Sequence, residues 1–491
     1  MSADRKSLTK NIGWSVVERL CSQLVYFAVS VILARLIVPE IYGVAMMVTM
    51  VINIFAIMLP SGFSSALIYR KDNDVLSYST AFWATLAMTL ILYLVLYFAA
   101  PLIASYYAVP EITLFLRVSA FQLVLQGVQS IPFAYVSKEM LFRKNYIATL
   151  IGVVAAAFVS IGLAITGMGV WALLLSTSVE VFVSAIVLCA TTGFHVEFRF
   201  DARIAGEMVR YCWKLMGVDF LNAFYSNLNS LIIGKLFKSS DVAFYNRAYN
   251  LPQMLLGSVT TAVSKVLFPV FSQKQSGSEV CSMLRQSIRS MNYIVFPLLS
   301  GLIATGSGVI ALLYTEQWMG AVPYLYIMCL VWAFQPVQIC VIQAFKAIGE
   351  TGVFLRLEIY KKIIGLIVIL GSVALIGDPI ALAMALLINQ VLSVLINMPV
   401  VKERLGYSYR SQMKDIGASS MLAILMMCCV FIVGSTVDNL VLRIAVQVLV
   451  GVVVYACLSQ LTHNETFQYL KAVVNDAMRG RRLASKDMQS K

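Results

Sequence analysis

The sequence predicts an all-α protein that crosses a membrane many times, an architecture of about fourteen spanning helices. Three observations carry that expectation. Hydrophobic residues make up 60% of the chain and charged residues only 12%, whereas soluble domains run near half apolar and about a quarter charged. Apolar runs long enough to cross recur from one end of the chain to the other. Turn chemistry separates them.

A crossing helix needs about 20 mostly apolar residues, and the runs fall near 11–37, 42–68, 77–105, 112–136, 146–166, 170–192, 213–237, 242–270, 290–314, 321–345, 359–376, 380–401, 415–434 and 439–461. The breaks hold Pro39 and Gly43, Pro110, Gly167 and Gly169, Gly377 with Asp378 and Pro379, and Ser435 to Asn439. Prolines inside runs (Pro132, Pro252, Pro297, Pro336) predict kinks, because neighbouring helices can satisfy a freed carbonyl. The first run carries Glu18 and Arg19 and lacks a small-residue cleavage site, so it is expected to stay in the membrane.

Charge orients the helices. With the N-terminus on one side and an even number of spans, that side receives 30 of the 37 Lys and Arg residues. Cytoplasmic loops collect such residues, so both termini are expected in the cytoplasm. The net charge of +13 would favour nucleic acid in a soluble protein. Here it tracks loop placement, and no nucleic-acid partner is expected.

Other classes are excluded by what the sequence lacks. Nine cysteines include no CxxC pair, and His195 and His463 are the two histidines. Neither supports a metal or haem site, and no cofactor is expected. The outer loops stay at about a dozen residues, with no carboxylate pair or activated nucleophile on them. The chain reads as a non-enzyme.

A weak internal repeat organises the spans. ARLIVPEIYG at 34–43 resembles GKLFKSSDVAF at 234–244 with one extra residue. The reading is two parallel six-helix bundles related by an axis along the membrane normal. The expected domains are 1–193 (spans one to six), a cytoplasmic linker at 194–212, 213–405 (spans seven to twelve), 406–461 (spans thirteen and fourteen) and a basic cytoplasmic tail at 462–491. In the tail, Phe467, Leu470, Val474 and Met478 have the spacing of a surface helix on anionic lipid.

Polar residues inside spans are the candidates for function. On span seven, Asp219, Asn222, Ser226 and Asn229 share one helical stripe. Span eight repeats the pattern with Asn246, Asn250, Gln253, Gly257, Thr260 and Ser264, and span one offers a milder stripe through Arg19, Ser22, Tyr26 and Ser30. These stripes would line a hydrated cavity; interhelical packing by Ser and Asn is the competing reading. Gln122, Gln126 and Gln129 on span four could bind sugar hydroxyls, or form a buried packing network. Arg35, Lys235 and Arg247 stand near the outer ends of repeat-related helices, where a phosphate could meet them or where they could simply snorkel. A shift of 200 residues aligns Arg19 with Asp219, giving an expected gate or ion-coupling pair, with Glu18 the rival partner.

The segments ARLIVPEIYGVAMM (34–47), GFSSALIYRKD (62–72), NSLIIGKLFKSSDVAFYNRAYNLP (229–252), SKVLFPVFSQKQ (264–275), LYTEQWMGAVPYL (313–325) and QPVQICVIQAFKAIGE (335–350) together resemble the polysaccharide or O-antigen flippases. These are the Wzx-type branch of the superfamily that also holds MATE exporters and the lipid II flippase. The resemblance implies a MATE-like or lipid II flippase-like fold in the bacterial inner membrane. It implies alternating access that moves an undecaprenyl-pyrophosphate-linked oligosaccharide to the periplasmic leaflet. The implied partners are that lipid-linked substrate and the bilayer, with a polysaccharide polymerase and chain-length machinery as candidates. A MATE-like ion-coupled drug antiporter is the alternative, for which Glu18 and Asp219 would supply the acids.

Overall fold

The computed structural model describes residues 21–70, 74–272, 277–468 and 471. Glu18 and Arg19, and most of the expected tail helix (Leu470, Val474, Met478), lie outside the described residues. Among the described residues no β-strand occurs. The helices run as α1 (Cys21–Leu36), α2 (Pro39–Tyr69), α3 (Val75–Tyr107), α4 (Ile112–Lys138), α5 (Phe142–Ile165), α6 (Gly169–Thr192) and α7 (Ala202–Leu236). They continue as α8 (Ser239–Ser272), α9 (Gly277–Tyr314), α10 (Glu316–Ala347), α11 (Thr351–Leu375), α12 (Pro379–Leu405), α13 (Tyr409–Gly434) and α14 (Leu440–Leu461).

Ten of these are long and apolar enough to cross a membrane, and the chain is a multi-pass membrane protein. The four expected spans outside those ten are α1, described only from Cys21, and α7, α8 and α11. Their composition explains it: α7 and α8 carry the polar stripes, and α11 carries Arg356, Glu358, Lys361 and Lys362.

Four helix starts lie well before the apolar runs that mark them. The helix expected from 213 begins at Ala202, that expected from 290 at Gly277, that expected from 359 at Thr351, and that expected from 415 at Tyr409. Most of the 194–212 segment is therefore helix. An apolar run marks only the stretch that lipid must cover, whereas backbone hydrogen bonding continues into water until a cap stops it. The caps are visible. The Asp201 carboxylate accepts from the Arg203 and Ile204 amides at 2.8 and 3.2 Å. The Asp74 carboxylate accepts from the Ser77 amide at 2.8 Å, and those Ser77 hydrogen bonds hold its carboxyl below the usual carboxylate range. Of the expected kink prolines, Pro132 and Pro297 lie inside their helices. Pro336 sits where α10 breaks at Phe334, opening its second half Gln335–Ala347.

The contacts divide the chain into two units, Met1–Phe244 and Tyr245–Lys491. In the first, α6 packs on α2, α4 and α5, while α7 lies along α2 and α3. A buried cluster at its charged end joins Phe63 and Leu67 of α2, Tyr78 of α3, Ile131 of α4 and Met208 of α7. In the second, a larger cluster joins Leu284 and Met291 of α9, Cys340 and Phe345 of α10 and Val401 of α12. Both α13 and α14 pack on α9.

The repeat reappears in the backbone. α1 ends at Leu36 and α2 starts at Pro39; 200 residues on, α7 ends at Leu236 and α8 starts at Ser239. Within the first unit these two junctions touch. A Cβ on Gly43 would lie 1.8 Å from the Ser239 carbonyl oxygen, so only glycine permits the crossing.

Candidate functional site

The polar stripes can now be placed side chain by side chain. On α7, Asn222 and Ser226 are exposed, Asp219 is half-buried and Asn229 is buried. Ser226 bonds back to the Ala223 carbonyl at 3.0 Å, so it asks nothing of a neighbouring helix. On α8, Asn250 and Gln253 are exposed, Asn246 is half-buried and Thr260 is buried, bonding the Leu256 carbonyl at 3.0 Å. The Ser264 side chain lies outside the described residues. Four amide or hydroxyl side chains, Asn222, Ser226, Asn250 and Gln253, thus stand on exposed faces of their helices.

Span four divides differently. Gln122 is buried and Gln126 half-buried, while the Gln129 amide donates to the Ser184 hydroxyl of α6. Gln129 therefore ties two helices together.

The three outer cations have three environments. Arg35 is exposed at the end of α1. Lys235, also exposed, donates to the Tyr106 carbonyl and stands 4.6 Å above the Tyr106 ring. Arg247 is 7% exposed, its guanidinium 4.7 Å from the Tyr314 ring and 5.2 Å from the fully buried Trp318. An aromatic box of that kind stabilises a cation by about 1–2 kcal/mol when desolvated. It fastens the start of α8 to the turn after α9.

One membrane-embedded carboxylate lies apart from the stripes on α1, α7 and α8. Glu180 is the twelfth residue of the 24-residue α6, about 17 Å from either end at 1.5 Å per residue. The Tyr26 phenol of α1 donates to its carboxylate. An ionisable group at mid-span costs about 2.5–3.5 kcal/mol on insertion scales and usually marks a pathway or a coupling site. The signal in the sequence was its central position in an uninterrupted apolar run. Its partner Tyr26 comes from a helix 154 residues away, which no local pattern reveals.

A second cluster lies at the charged end of the second unit. Asp415 of α13, its side chain fully buried, takes Arg285 Nε at 3.0 Å and Arg289 Nη2 at 2.6 Å from α9. The Tyr407 hydroxyl donates to it at 2.6 Å, and burial beside that carboxylate pushes the phenol's pKa up. Arg289 also reaches the exposed Glu465 at 2.7 Å. Every charge here is matched, which suits a clasp holding α13 to α9. No group of three or more His, Cys, Asp or Glu residues that could hold a metal occurs among the described residues.

Similarity to known proteins now adds to the geometry. A profile described as polysaccharide biosynthesis protein matches residues 32–323. The chain belongs to this family. Polysaccharide biosynthesis relatives extend the match beyond that segment. The succinoglycan biosynthesis transport protein ExoT of Rhizobium meliloti (strain 1021) is 26% identical over 490 residues, covering 96% of each chain. The lipopolysaccharide biosynthesis protein WzxC of Escherichia coli (strain K12) is 22% identical over 420 residues, covering 83% of each. Among solved structures, the lipid II flippase MurJ in an inward closed conformation matches with a TM-score of 0.75 at 16% identity, covering 93% of this chain and all of that one. An inward-facing multidrug MATE transporter of the MOP superfamily matches at 0.59, with 16% identity over 78% of this chain and 94% of that one. The fold is therefore shared with MurJ and with the MATE transporter, as the sequence resemblance implies.

Proposed function

We propose that this protein moves an undecaprenyl-pyrophosphate-linked oligosaccharide from the cytoplasmic to the periplasmic leaflet of a bacterial inner membrane, supplying assembly of a surface polysaccharide. The observation that carries the proposal is the set of exposed amides and hydroxyls on α7 and α8, within a transporter fold of a polysaccharide biosynthesis family. A sugar headgroup bearing pyrophosphate cannot enter hydrocarbon, because each polar group stripped of water costs several kcal/mol. Side-chain amides replace that water as both donors and acceptors. Asn222, Ser226, Asn250 and Gln253 are the sugar-facing residues in this reading, Asn246, Tyr26 and Gln126 are further candidates for the same role, and Asn229 and Gln122 brace their helices. Arg35 and Lys235, both exposed, are the cations proposed to meet pyrophosphate, whereas Arg247 is buried in its aromatic box. Asp219, half-buried on α7, stays a gate candidate. Two arrangements of the lobes, 1–193 and 213–405 joined by 194–212, would expose the lining to one leaflet at a time.

The names of the relatives support the same direction, as ExoT is a succinoglycan transport protein and WzxC a lipopolysaccharide biosynthesis protein. One observation favours a second reading: Glu180 at the centre of α6, together with the MATE likeness, fits an ion-coupled antiporter. Deletion in the native host separates the two. The flippase reading expects loss of surface polysaccharide with lipid-linked repeat units accumulating on the cytoplasmic leaflet. Intact polysaccharide with new sensitivity to cationic drugs would establish the antiporter instead. Orientation has its own check: phosphatase fused after Ser239 or Asp378 should be active, and after Lys274 or Arg404 silent.

A further inference from the structure

We propose that α9, α13 and α14 form a binding site for an anionic glycerophospholipid, independent of the transport reading above. Two cavities in the second unit carry it. One, about 300 Å³, is lined entirely by polar side chains: Ser282, Arg285, Gln286, Arg289 and Ser290 of α9, with Glu465 and Thr466 beyond α14. The other is an apolar groove of about 720 Å³, walled by Pro297, Gly301 and Thr305 of α9, Val430 of α13, and Val448 and Val452 of α14.

The two meet end to end. Ser290 closes the polar pocket and Tyr293, less than one turn further along α9, opens the groove. Thr466 lines the first and its neighbour Phe467 the second. Lys471 stands at the groove as well. A polar chamber continuous with an apolar trough has the profile of one amphiphile.

Length and charge name the class. From Tyr293 to Thr305 the groove follows α9 for about 18 Å at 1.5 Å per residue, close to the depth of one leaflet of a 30 Å hydrocarbon core. An acyl chain has that reach; a polyprenyl tail is several times longer. In the pocket, Arg285 uses Nε on Asp415. Among the described residues its two Nη groups have no hydrogen bond, and they match the oxygens of a phosphodiester. Ser282, Gln286, Ser290 and Thr466 add donors around it. Within the pocket the Asp415 and Glu465 carboxylates balance Arg285 and Arg289, and Lys471 at the groove adds one positive charge for one phosphodiester.

The test uses the purified, delipidated full chain in detergent, with phosphatidylglycerol or phosphatidylethanolamine added and binding read by native mass spectrometry. Phosphatidylglycerol should bind about tenfold more tightly. Arg285→Gln, which leaves Asp415 paired with Arg289 and Tyr407, should reduce that preference to parity. Gly301→Leu should weaken both lipids, since a Cβ there meets only the Met426 methyl at 4.0 Å and the added side chain enters the groove. Equal binding of both lipids by the unaltered protein would overturn the site. So would full occupancy by glycerol phosphate without acyl chains, or displacement of phosphatidylglycerol by an equimolar polyprenyl phosphate.

Discussion

Two charged or polar regions of this protein are built to opposite standards. At the Asp415 clasp, two arginines, a tyrosine and a carboxylate are interlocked over distances of 2.6 to 3.0 Å, with Asp415 fully buried. Along α7 and α8, Asn222, Ser226, Asn250 and Gln253 stand exposed in helices of membrane length. The first region invests its polarity in holding helices together, the second in meeting something that arrives. Density of charge alone would have pointed to the clasp. Exposure of each polar side chain is the better guide to where a ligand acts.

That contrast makes different demands on substitution. Asp415→Ala should be the most damaging change, leaving Arg285, Arg289 and Tyr407 without their shared acceptor. Removing one partner of a buried pair costs about 3–5 kcal/mol; the arginines' partial exposure lowers this to about 3 kcal/mol. The expected readout is a lower unfolding temperature and poor accumulation in the membrane. An unchanged melting curve would show that the clasp is ornamental. Asn222→Leu combined with Asn250→Leu should do the reverse. Export should fall about tenfold, equivalent to 1.4 kcal/mol, while the melting temperature stays within about 1 °C of the parent. A destabilised double variant with normal specific export would move these amides to the packing role.

Glu180→Gln lies between the two. It keeps the shape and the contact with Tyr26 but removes the titratable group. Export is expected to fall severalfold and to lose its dependence on external pH, with Tyr26→Phe adding little in the double variant because both act through one bond. Smallest is Asp74→Ala, which removes the cap of α3 at a cost of about 1 kcal/mol. The folded pKa of Asp74 lies below its unfolded value. The cap's contribution is therefore complete above the ordinary carboxylate pKa and is lost as pH falls through the folded value. Thermal scans at pH 7 and at pH 3 should show the difference between parent and variant shrinking at the lower pH.

Much of this was legible before any coordinates. Helix content, membrane character and the 200-residue repeat follow from apolar runs and turn residues, because lipid enforces long uninterrupted helices. The stripes on α7 and α8 were legible too, since helical spacing places Asn222 with Ser226, and Asn250 with Gln253, on shared faces. What stayed hidden depends on packing between distant segments. Nothing in the sequence around Arg247 shows that Tyr314 and Trp318 will enclose it, or that Tyr26 will reach Glu180. The starts of α7, α9, α11 and α13 were set late for a related reason. Hydropathy registers the membrane's edge, while Asp201 and Ser408 cap helices that continue past it.

The sidedness of lipid-linked oligosaccharide in intact spheroplasts is the most direct measurement. A membrane-impermeant oxidant should label the sugars of the outer leaflet in cells with the unaltered protein. In cells carrying Asn222→Leu with Asn250→Leu, labelling should fall about tenfold while total lipid-linked oligosaccharide rises, the same 1.4 kcal/mol penalty on transfer. Equal outer-leaflet labelling in both strains, with surface polymer intact, would mean that these helices do not carry the headgroup across.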